Sequence, residues 1–142
     1  MLRVVIDTNI WIRALLGGPV SLPVLQAWRD GRFQVVISPP LLAELEEVRQ
    51  RPRLTRHIDS ADAAELLEQL RWRGFLVDPT TIPPRCRDIR DNPVLASAID
   101  GRAAAIISGD ADLRADEELR TAMAGHGIEI WGVETLLATL AG

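Results

Sequence analysis

The sequence predicts a single α/β domain in which a mainly parallel sheet is covered by helices on both faces. Short β-branched runs alternate with helical stretches along the 142 residues, without an internal repeat, linker or low-complexity segment. Strands that alternate with helices imply right-handed crossovers and a mainly parallel sheet. Because 47% of the residues are hydrophobic, the chain can bury one substantial core, and we interpret residues 1–142 as one domain.

The chain opens with a strand and two helices. The β-branched run Arg3–Ile6 predicts the first strand, which ends at Asp7. The helical stretch Asn9–Leu16 follows and is stopped by two glycines and a proline. Apolar residues at helical spacing predict a second helix over Leu22–Arg29, and a glycine ends it.

Two more strands enclose two further helices. The apolar run Phe33–Ile37 predicts the second strand, and Ser38 is expected to cap a helix that reaches about Gln50. A proline shortly afterwards is expected to close that helix. Ser60–Arg73 predicts another helix with its first residue as N-cap, and Phe75–Val77 predicts the third strand.

The last part of the chain begins with a loop rich in proline and charge, Asp78–Asp91, which we expect to cross one end of the sheet. Asn92 is the predicted N-cap of the next helix, which ends at Gly101. The remaining predicted elements are the strand Ala104–Ile107, a helix from about Asp116, the strand Ile128–Trp131 and the helix Val133–Leu140.

Composition excludes several classes of function. The net charge of −4 and pI near 5.2 argue against a protein that coats nucleic acid through its overall charge. All sixteen basic residues are arginine, so a Walker-type phosphate loop and a Schiff-base enzyme are excluded. Phosphoaspartyl proteins also place an aspartate at a strand end. They use a lysine near the phosphoryl group, so the absence of lysine argues against them. The chain has no tyrosine and two histidines, so a tyrosine nucleophile and a histidine-rich metal site are excluded.

The sequence also predicts a cytoplasmic protein without a membrane span. Charged residues interrupt the apolar N-terminal stretch, and no run approaches the roughly 20 apolar residues that a membrane helix needs. The single cysteine, Cys86, is expected to pack against neighbouring residues rather than to take part in chemistry. The four tryptophans are expected in the core or in a dimer interface.

Acidic residues are predicted to converge at one edge of the sheet. Asp7 follows the first strand directly, and Asp110 follows a later strand after Ser108 and a glycine. Ligands of open parallel sheets bind beyond the carboxyl ends of the strands. Asp88 and Asp91 lie just before the helix that leads into the Asp110 strand, so we expect them at the same edge. Taken singly, Asp7 has a simpler interpretation as a helix cap, Asp91 as a solvated loop residue and Asp112 as a cap of the helix that follows it.

Glu44 is the acid on the predicted third helix that we expect to be half-buried. The buried stripe of this helix is defined by Leu41, Leu45 and Val48. Glu44 falls about 65° from the centre of the stripe, whereas the two glutamates that follow fall on the far side. A carboxylate on a packed face must be paired with an arginine, protonated or bound to a metal.

Crowded carboxylates raise one another's pKa unless a divalent cation neutralises them. With no histidine or cysteine among the candidates, oxygen-only ligation favours Mg²⁺ or Mn²⁺ over Zn²⁺. Such an ion lowers the pKa of a bound water and stabilises charge on a phosphoryl oxygen. The reaction that fits this site is phosphodiester hydrolysis.

Taken together, these motifs resemble the PIN-domain ribonucleases, particularly the toxins of VapBC-like toxin–antitoxin pairs. The resemblance covers nearly the whole chain, because the motifs recur in the same order and at similar spacing. They are Val4-Val5-Ile6-Asp7-Thr8-Asn9, Ser38-Pro39, Glu44, Cys86-Arg87-Asp88, Asp91-Asn92 and Ser108-Gly109-Asp110-Ala111-Asp112-Leu113.

The resemblance implies a Rossmann-like three-layer α/β/α sandwich, Mg²⁺ or Mn²⁺ as cofactor, RNA as substrate, a small antitoxin that blocks the site, and a homodimer. By position, the acidic quartet implied by the resemblance is Asp7, Glu44, Asp91 and Asp110, and its metal ligands are Asp7, Asp91 and Asp110. The supporting residues implied are Thr8, Asn9, Asp88, Ser108 and Asp112. One departure is the pair Ile89-Arg90, where relatives often have proline and a further acid, and it leaves the choice between Asp88 and Asp91 open.

Two basic runs are candidate RNA contacts, one containing Arg49 and Arg51 and the other containing Arg87 and Arg90. Arginine binds phosphate bidentately, although charge runs are often just solvated surface. The alternative function is a non-catalytic member of the same fold that binds RNA or a protein. Because all the key acids are present, the sequence favours catalysis.

Overall fold

The computed structural model describes residues 1–142 and contains five strands and nine α-helices. A 3₁₀ turn at Ile89–Asp91 precedes the sixth helix. The strands are β1 (Arg3–Ile6), β2 (Gln34–Ile37), β3 (Phe75–Leu76), β4 (Ala105–Ile107) and β5 (Glu129–Trp131). The helices are α1 (Thr8–Leu15), α2 (Leu22–Arg29), α3 (Pro39–Arg49), α4 (Pro52–Thr55), α5 (Ser60–Arg73), α6 (Asn92–Asp100), α7 (Ala111–Ala115), α8 (Glu117–Ala124) and α9 (Val133–Ala141).

The sheet has the strand order β3-β2-β1-β4-β5, and every neighbouring pair is parallel. The chain builds outward from β1 to β3 and then returns to add β4 and β5 on the other side of β1. The order therefore reverses between β1 and β4, which is where open parallel sheets bind ligands. Ile6 pairs with Ile107, and the backbone N–H of Asp7 donates to the Ile107 carbonyl (2.9 Å). The residues that follow these two strands are therefore neighbours.

Strand β4 shows that both faces of the sheet are covered. Ala105, Ile106 and Ile107 are all fully buried, although successive side chains of a strand point to opposite faces. The predicted mainly parallel α/β sandwich is confirmed, and the sheet is parallel throughout. No helix combines the length and apolar character needed to cross a membrane.

The largest core side chains are two tryptophans. Trp11 on α1 and Trp28 on α2 are buried, and their rings meet edge to face with centroids 5.6 Å apart. Trp131 is half-buried. Trp72 on α5 is 80% exposed, and its indole N–H donates to Glu68 one turn earlier (2.9 Å). Trp72 therefore lies outside the core of this chain.

Two helix caps differ from the predictions. Asp59, rather than Ser60, is the N-cap of α5, and its carboxylate accepts from the backbone N–H groups two and three residues further on (2.8 and 3.2 Å). Asn92 is the first residue of α6 rather than its N-cap, because a 3₁₀ turn leads directly into the helix. Asp88 caps that turn by accepting from the backbone N–H of Arg90 (2.9 Å).

Two short helices were not predicted. Pro52, expected only to close α3, is the first residue of the one-turn helix α4. Helix α7 lies between β4 and the predicted helix near Asp116, and Asp110 is its N-cap. Asp116 in turn caps α8 by accepting from the backbone N–H of Leu119 (3.1 Å). The simpler interpretation of Asp112 as a cap is wrong, because Asp112 lies in the first turn of α7.

Candidate active site at the carboxyl edge of the sheet

Asp7 lies directly after β1 at the point where the strand order reverses. Burial is the main cause that raises its pKa, and the charge of Asp110 acts in the same direction. The backbone amides of Asn9 and Thr8 and the hydroxyl of Ser108 oppose the rise. No arginine or histidine lies within 4.0 Å of the Asp7 carboxylate. Asp7 is therefore a largely buried acid without an ion-pair partner.

Ser108 connects Asp7 with Asp110. The serine is fully buried, its hydroxyl donates to Oδ2 of Asp7 (3.5 Å), and it accepts from the backbone N–H of Asp110 (3.0 Å). The carboxylate of Asp110 is exposed, and its Oδ1 accepts from the backbone N–H of Asp112 (2.9 Å). Oδ2 of Asp110 has no hydrogen-bond partner in the protein, so it remains available to a ligand.

Asp91 is the half-buried acid that ends the 3₁₀ turn before α6. Its pKa is raised to about 6, mainly by burial and further by the charges of Asp7, Asp88 and Asp110. Arg90 acts in the opposite direction, but its effect is smaller than those of the three aspartates. Asp91 therefore belongs to the same electrostatic cluster as the acids that follow β1 and β4.

Glu44 is half-buried on α3, as the helical periodicity predicts. Glu46, which is expected on the far side, is half-buried as well and pairs with Arg49 (2.8 Å). Burial is the largest cause that raises its pKa, followed by the charge of Asp7. The Thr8 hydroxyl lowers this pKa, Asp91 raises it, and Arg51 lowers it only weakly. The structure thus brings the four predicted acids into one cluster, drawn from four separate segments of the chain.

The chemistry of this cluster fits a hard divalent cation. Its donors are all carboxylate oxygens, and the pKa values of Asp7, Glu44 and Asp91 are raised by burial and by one another. A cation would relieve both effects. As the side chains stand, no three acidic, histidine or cysteine groups are close enough together to hold a metal ion. The cluster is therefore more open than a completed ligand set.

A cleft of about 840 Å³ opens beside this cluster, and we name it the acidic cleft. It lies between the loop 82–92 and the segment 110–116, and Asp7 and Glu44 do not line it. Its five acids are Asp88, Asp91, Asp110, Asp112 and Asp116. The arginines that line the acidic cleft are Arg85 and Arg87, so acidic side chains outnumber basic ones.

Asp88 and Asp91 differ in their partners, which bears on the choice between them. Arg90 donates to both oxygens of Asp88, at 3.1 Å and 2.8 Å for the closest atoms. These bonds hold the pKa of Asp88 below its usual range. Asp91 has no such partner, and its pKa is raised. Asp91 is therefore the acid of this pair that a cation would stabilise more.

Three of the four predicted RNA-binding arginines pair within their own segments, and one of these pairs is that of Arg90 with Asp88 described above. Arg49 contacts Glu46 (2.8 Å) and Arg51 contacts Glu47 (3.0 Å), both along α3. Arg87 lies 3.6 Å from Asp112 across the acidic cleft, and both side chains are exposed. Exposed pairs of this kind contribute little stability and exchange readily with solvent. Arg51, Arg87 and Arg90 are thus accessible, whereas Arg49 is half-buried, and none of the four is held in a built anion site.

Ser97 is a site residue that the sequence does not reveal. Its hydroxyl and that of Ser38 lie 2.8 Å apart, and both serines are fully buried. Ser38 is the N-cap residue of α3, but it makes no side-chain cap bond and binds Ser97 on α6 instead. The bond therefore joins the helix that carries Glu44 to the helix that follows Asp91. A serine among the apolar residues of α6 is the only signal in the sequence.

Comparison with known proteins defines the family. Residues 3–112 match the family model described as the PIN domain, so the chain belongs to the PIN domain family. Proteins of this family are generally nucleases and typically use divalent metals. The open acidic cluster at the reversal of strand order is consistent with that chemistry.

Two relatives illustrate the extent of the similarity. The chain is 30% identical over 115 residues to the uncharacterized protein MJ1680 of Methanocaldococcus jannaschii. The aligned region covers 79% of this chain and 73% of that protein. Its fold resembles a chain in the crystal structure of VapBC2 from Rickettsia felis bound to a DNA fragment from their promoter. That match has a TM-score of 0.58 and 14% identity, and it covers 92% of this chain and 98% of the other. At this identity, the likeness concerns the fold.

Proposed function

We propose that residues 1–142 form one nuclease domain that hydrolyses RNA phosphodiester bonds with Mg²⁺ or Mn²⁺. The observation that carries the proposal is the acidic cluster at the reversal of strand order. Asp7, Glu44 and Asp91 have raised pKa values because they are buried together. A protein gains nothing in stability from such a cluster, and perturbed carboxylates at a ligand-binding edge are typical of a functional site.

Each acid has a proposed role. Asp7, Asp91 and Asp110 would hold the metal, and a bound divalent ion supplies an activated water and neutralises charge on a phosphoryl oxygen. Glu44, with its raised pKa, would accept a proton at a carboxylate oxygen. Ser108 holds Asp7 and the Asp110 backbone in place through its two hydrogen bonds. Thr8, which is buried beside Glu44, and the residues Asn9, Asp88 and Asp112 would support the site.

We further propose that the protein is the toxin of a type II toxin–antitoxin pair in the cytoplasm. The support is the family membership together with the fold shared with a chain of the Rickettsia felis VapBC2 structure. A small antitoxin would then cover the acidic cluster and stop cleavage, and the active form would be a homodimer. A small gene that overlaps the upstream end of the coding sequence would support this proposal. Growth arrest on expression, relieved by co-expression of that gene, would test it.

Cleavage of a panel of RNAs by the purified protein tests the nuclease proposal. We expect cleavage with Mn²⁺ and none with excess EDTA, because the reaction needs the ion. Asp7→Asn should abolish cleavage, whereas Asp30→Asn, an exposed aspartate without side-chain hydrogen bonds, should leave it unchanged. Intact RNA in the presence of folded wild-type protein and Mn²⁺ would contradict the proposal. Binding of RNA without cleavage would instead support the non-catalytic alternative.

A further inference from the structure

A second cleft, of about 760 Å³, lies on the other side of the segment Ser108–Asp110 from the acidic cleft. We name it the basic cleft. It is lined by α1 and the turn after it, by Ser108 and Gly109, and by the start of α9. Its charged residues are Arg13, Arg114 and Glu134. Neither the motifs nor the proposed mechanism gives these two arginines a role.

Arg13 has no carboxylate partner. The ion pairs in the structure involve other arginines, and no hydrogen bond from the Arg13 side chain is formed. Its guanidinium lies against Gly109, where a Cβ would approach Nη1 to 2.6 Å. The absence of a side chain at Gly109 therefore leaves room for the Arg13 head group in the basic cleft.

Arg114, which also lines the basic cleft, repeats this arrangement against a second glycine. A Cβ at Gly132 would approach its Nη1 to 2.6 Å. Its Nε is buried and has no hydrogen-bond partner. A buried charged donor without an acceptor is costly, so an anion that reached this head group would stabilise it.

The start of α9 supplies further donors in the basic cleft. Gly132 is the N-cap of this nine-residue helix and provides no side-chain cap bond. The first backbone N–H groups of a helix have no partner within it and favour an anion. Glu134, the single acid that lines the basic cleft, is exposed to solvent. Two unpaired guanidinium groups thus share this cleft with a helix N-terminus.

We propose that the basic cleft binds a phosphate of the RNA backbone next to the phosphate that is cleaved. This inference rests on the proposed nuclease function for the identity of the polymer. Ser108 lines the basic cleft, and its hydroxyl lies 3.5 Å from Oδ2 of Asp7. A single strand that crosses Gly109 therefore has one phosphate at the acids and a neighbouring phosphate between Arg13 and Arg114. Arginine is suited to this contact because its planar head group binds phosphate bidentately.

Binding of a short fluorescein-labelled single-stranded RNA tests the proposal without cleavage, in an Asp7→Asn background with EDTA. We expect Arg13→Gln and Arg114→Gln each to weaken binding about tenfold. Each should also reduce the slope of log K against log salt by about 0.7, the value for one phosphate contact on a single strand. The matched control is Arg71→Gln, which removes the same charge from an exposed position on α5.

Arg13 is exposed, so its replacement should leave the fold intact, and thermal melting checks this for both variants. Affinity and salt slope equal to those of Arg71→Gln, or no RNA binding by the Asp7→Asn protein, would overturn the proposal. Inorganic phosphate is the competing ligand. We expect it to displace RNA only weakly, and displacement at concentrations similar to those of RNA would assign the basic cleft to a free phosphate instead.

Cleavage by the wild-type chain separates this inference from the nuclease proposal. If RNA binds through Arg13 and Arg114 but is never cleaved, the basic cleft stands and the nuclease proposal fails. If RNA is cleaved and the arginine variants bind like Arg71→Gln, the basic cleft alone is wrong.

Discussion

The acidic and basic clefts lie on either side of three residues and have opposite character. The acidic cleft contains five aspartates, whereas the basic cleft contains two arginines and one glutamate. Ser108 and Gly109 line the basic cleft and Asp110 lines the acidic one. For a chain with net charge −4, any attraction for nucleic acid must be local, and the proposed phosphate site places it at this boundary.

The charged groups that lack a partner also differ between the two regions. Asp91 in the acidic cleft, and Asp7 in the cluster beside it, are half-buried and have no ion-pair partner. In the basic cleft, Nε of Arg114 is buried without an acceptor. One region therefore favours a cation and the other an anion, and a metal-bound nucleic-acid strand would satisfy both. The following predictions test that division.

The largest effect is expected for Asp110→Asn. Cleavage should fall by roughly a hundredfold or more, because Asp110 would hold the ion and the ion supplies several kcal/mol of transition-state stabilisation. Asparagine is also a good N-cap, so α7 should remain folded. Single-turnover kinetics should show a slower chemical step, and steady-state kinetics a lower kcat, while RNA affinity is kept. A rise in KM with unchanged kcat would place Asp110 in binding rather than in chemistry.

Ser38→Ala should destabilise the protein by about 1–3 kcal/mol, because it leaves the buried Ser97 hydroxyl without a partner. Urea unfolding measures this change. The control is Ser60→Ala, an exposed serine that makes no side-chain bond and should have little effect. Since the lost bond joins α3 to α6, cleavage should fall more than RNA binding. Equal losses of both would show that the bond supports the two clefts alike.

Asp91 should make stability depend on pH in the absence of metal. Its pKa in the folded state is about 6, above the usual value of 3.8, so the folded state binds the proton more tightly. Its favourable contribution is therefore complete below about pH 4 and is lost as the pH rises to about 6. Because the side chain is only half-buried, the change should stay below about 1 kcal/mol.

Urea unfolding in EDTA, for the wild type and for Asp91→Asn, measures this difference across the same pH range. The variant should gain stability relative to the wild type as the pH rises. Saturating Mg²⁺ should reverse the trend, because a bound metal competes with the proton. A pH-independent difference in EDTA would remove Asp91 from the electrostatic cluster.

The smallest effect is expected for Gly132→Ala. The new Cβ would displace the Arg114 head group, whose flexible end can move at little cost in stability. RNA affinity should fall about threefold, the size of one weakened surface contact. Gly127→Ala is unsuitable as a control because Gly127 has a positive φ, whereas Gly142→Ala meets only ordinary contacts. No change in affinity would show that the Arg114 position is not important for binding.

Much of the fold and of the acidic cluster could be predicted because their signals are local. The β-branched runs mark the strands, and parallel topology then places Asp7 and Asp110 at one edge. The periodicity of α3 predicts the half-buried Glu44 but misses the half-buried Glu46 on the same helix. The predicted N-cap of α5, Ser60, is wrong by one residue because two adjacent residues, Asp59 and Ser60, both favour that position.

The basic cleft could not be predicted because it depends on where long side chains point. Arg13 and Arg114 are far apart in sequence and belong to no basic run. Each meets a glycine from another segment, and the sequence shows the glycine but not its neighbour. The Ser38–Ser97 bond is hidden for the same reason, since it depends on how two helices pack.

The strand order also determines when the acidic cluster can assemble during synthesis. β1, β2 and β3 are adjacent in sequence and in the sheet, whereas β4 must insert beside β1 after the long loop and α6. Domains begin to fold while the chain is still emerging from the ribosome. A nascent chain thus carries Asp7 and Glu44 before Asp110 exists. The proposed nuclease would therefore have no complete acidic cluster until Asp110 has been added, and would spare the messenger and ribosomal RNA around it up to that point.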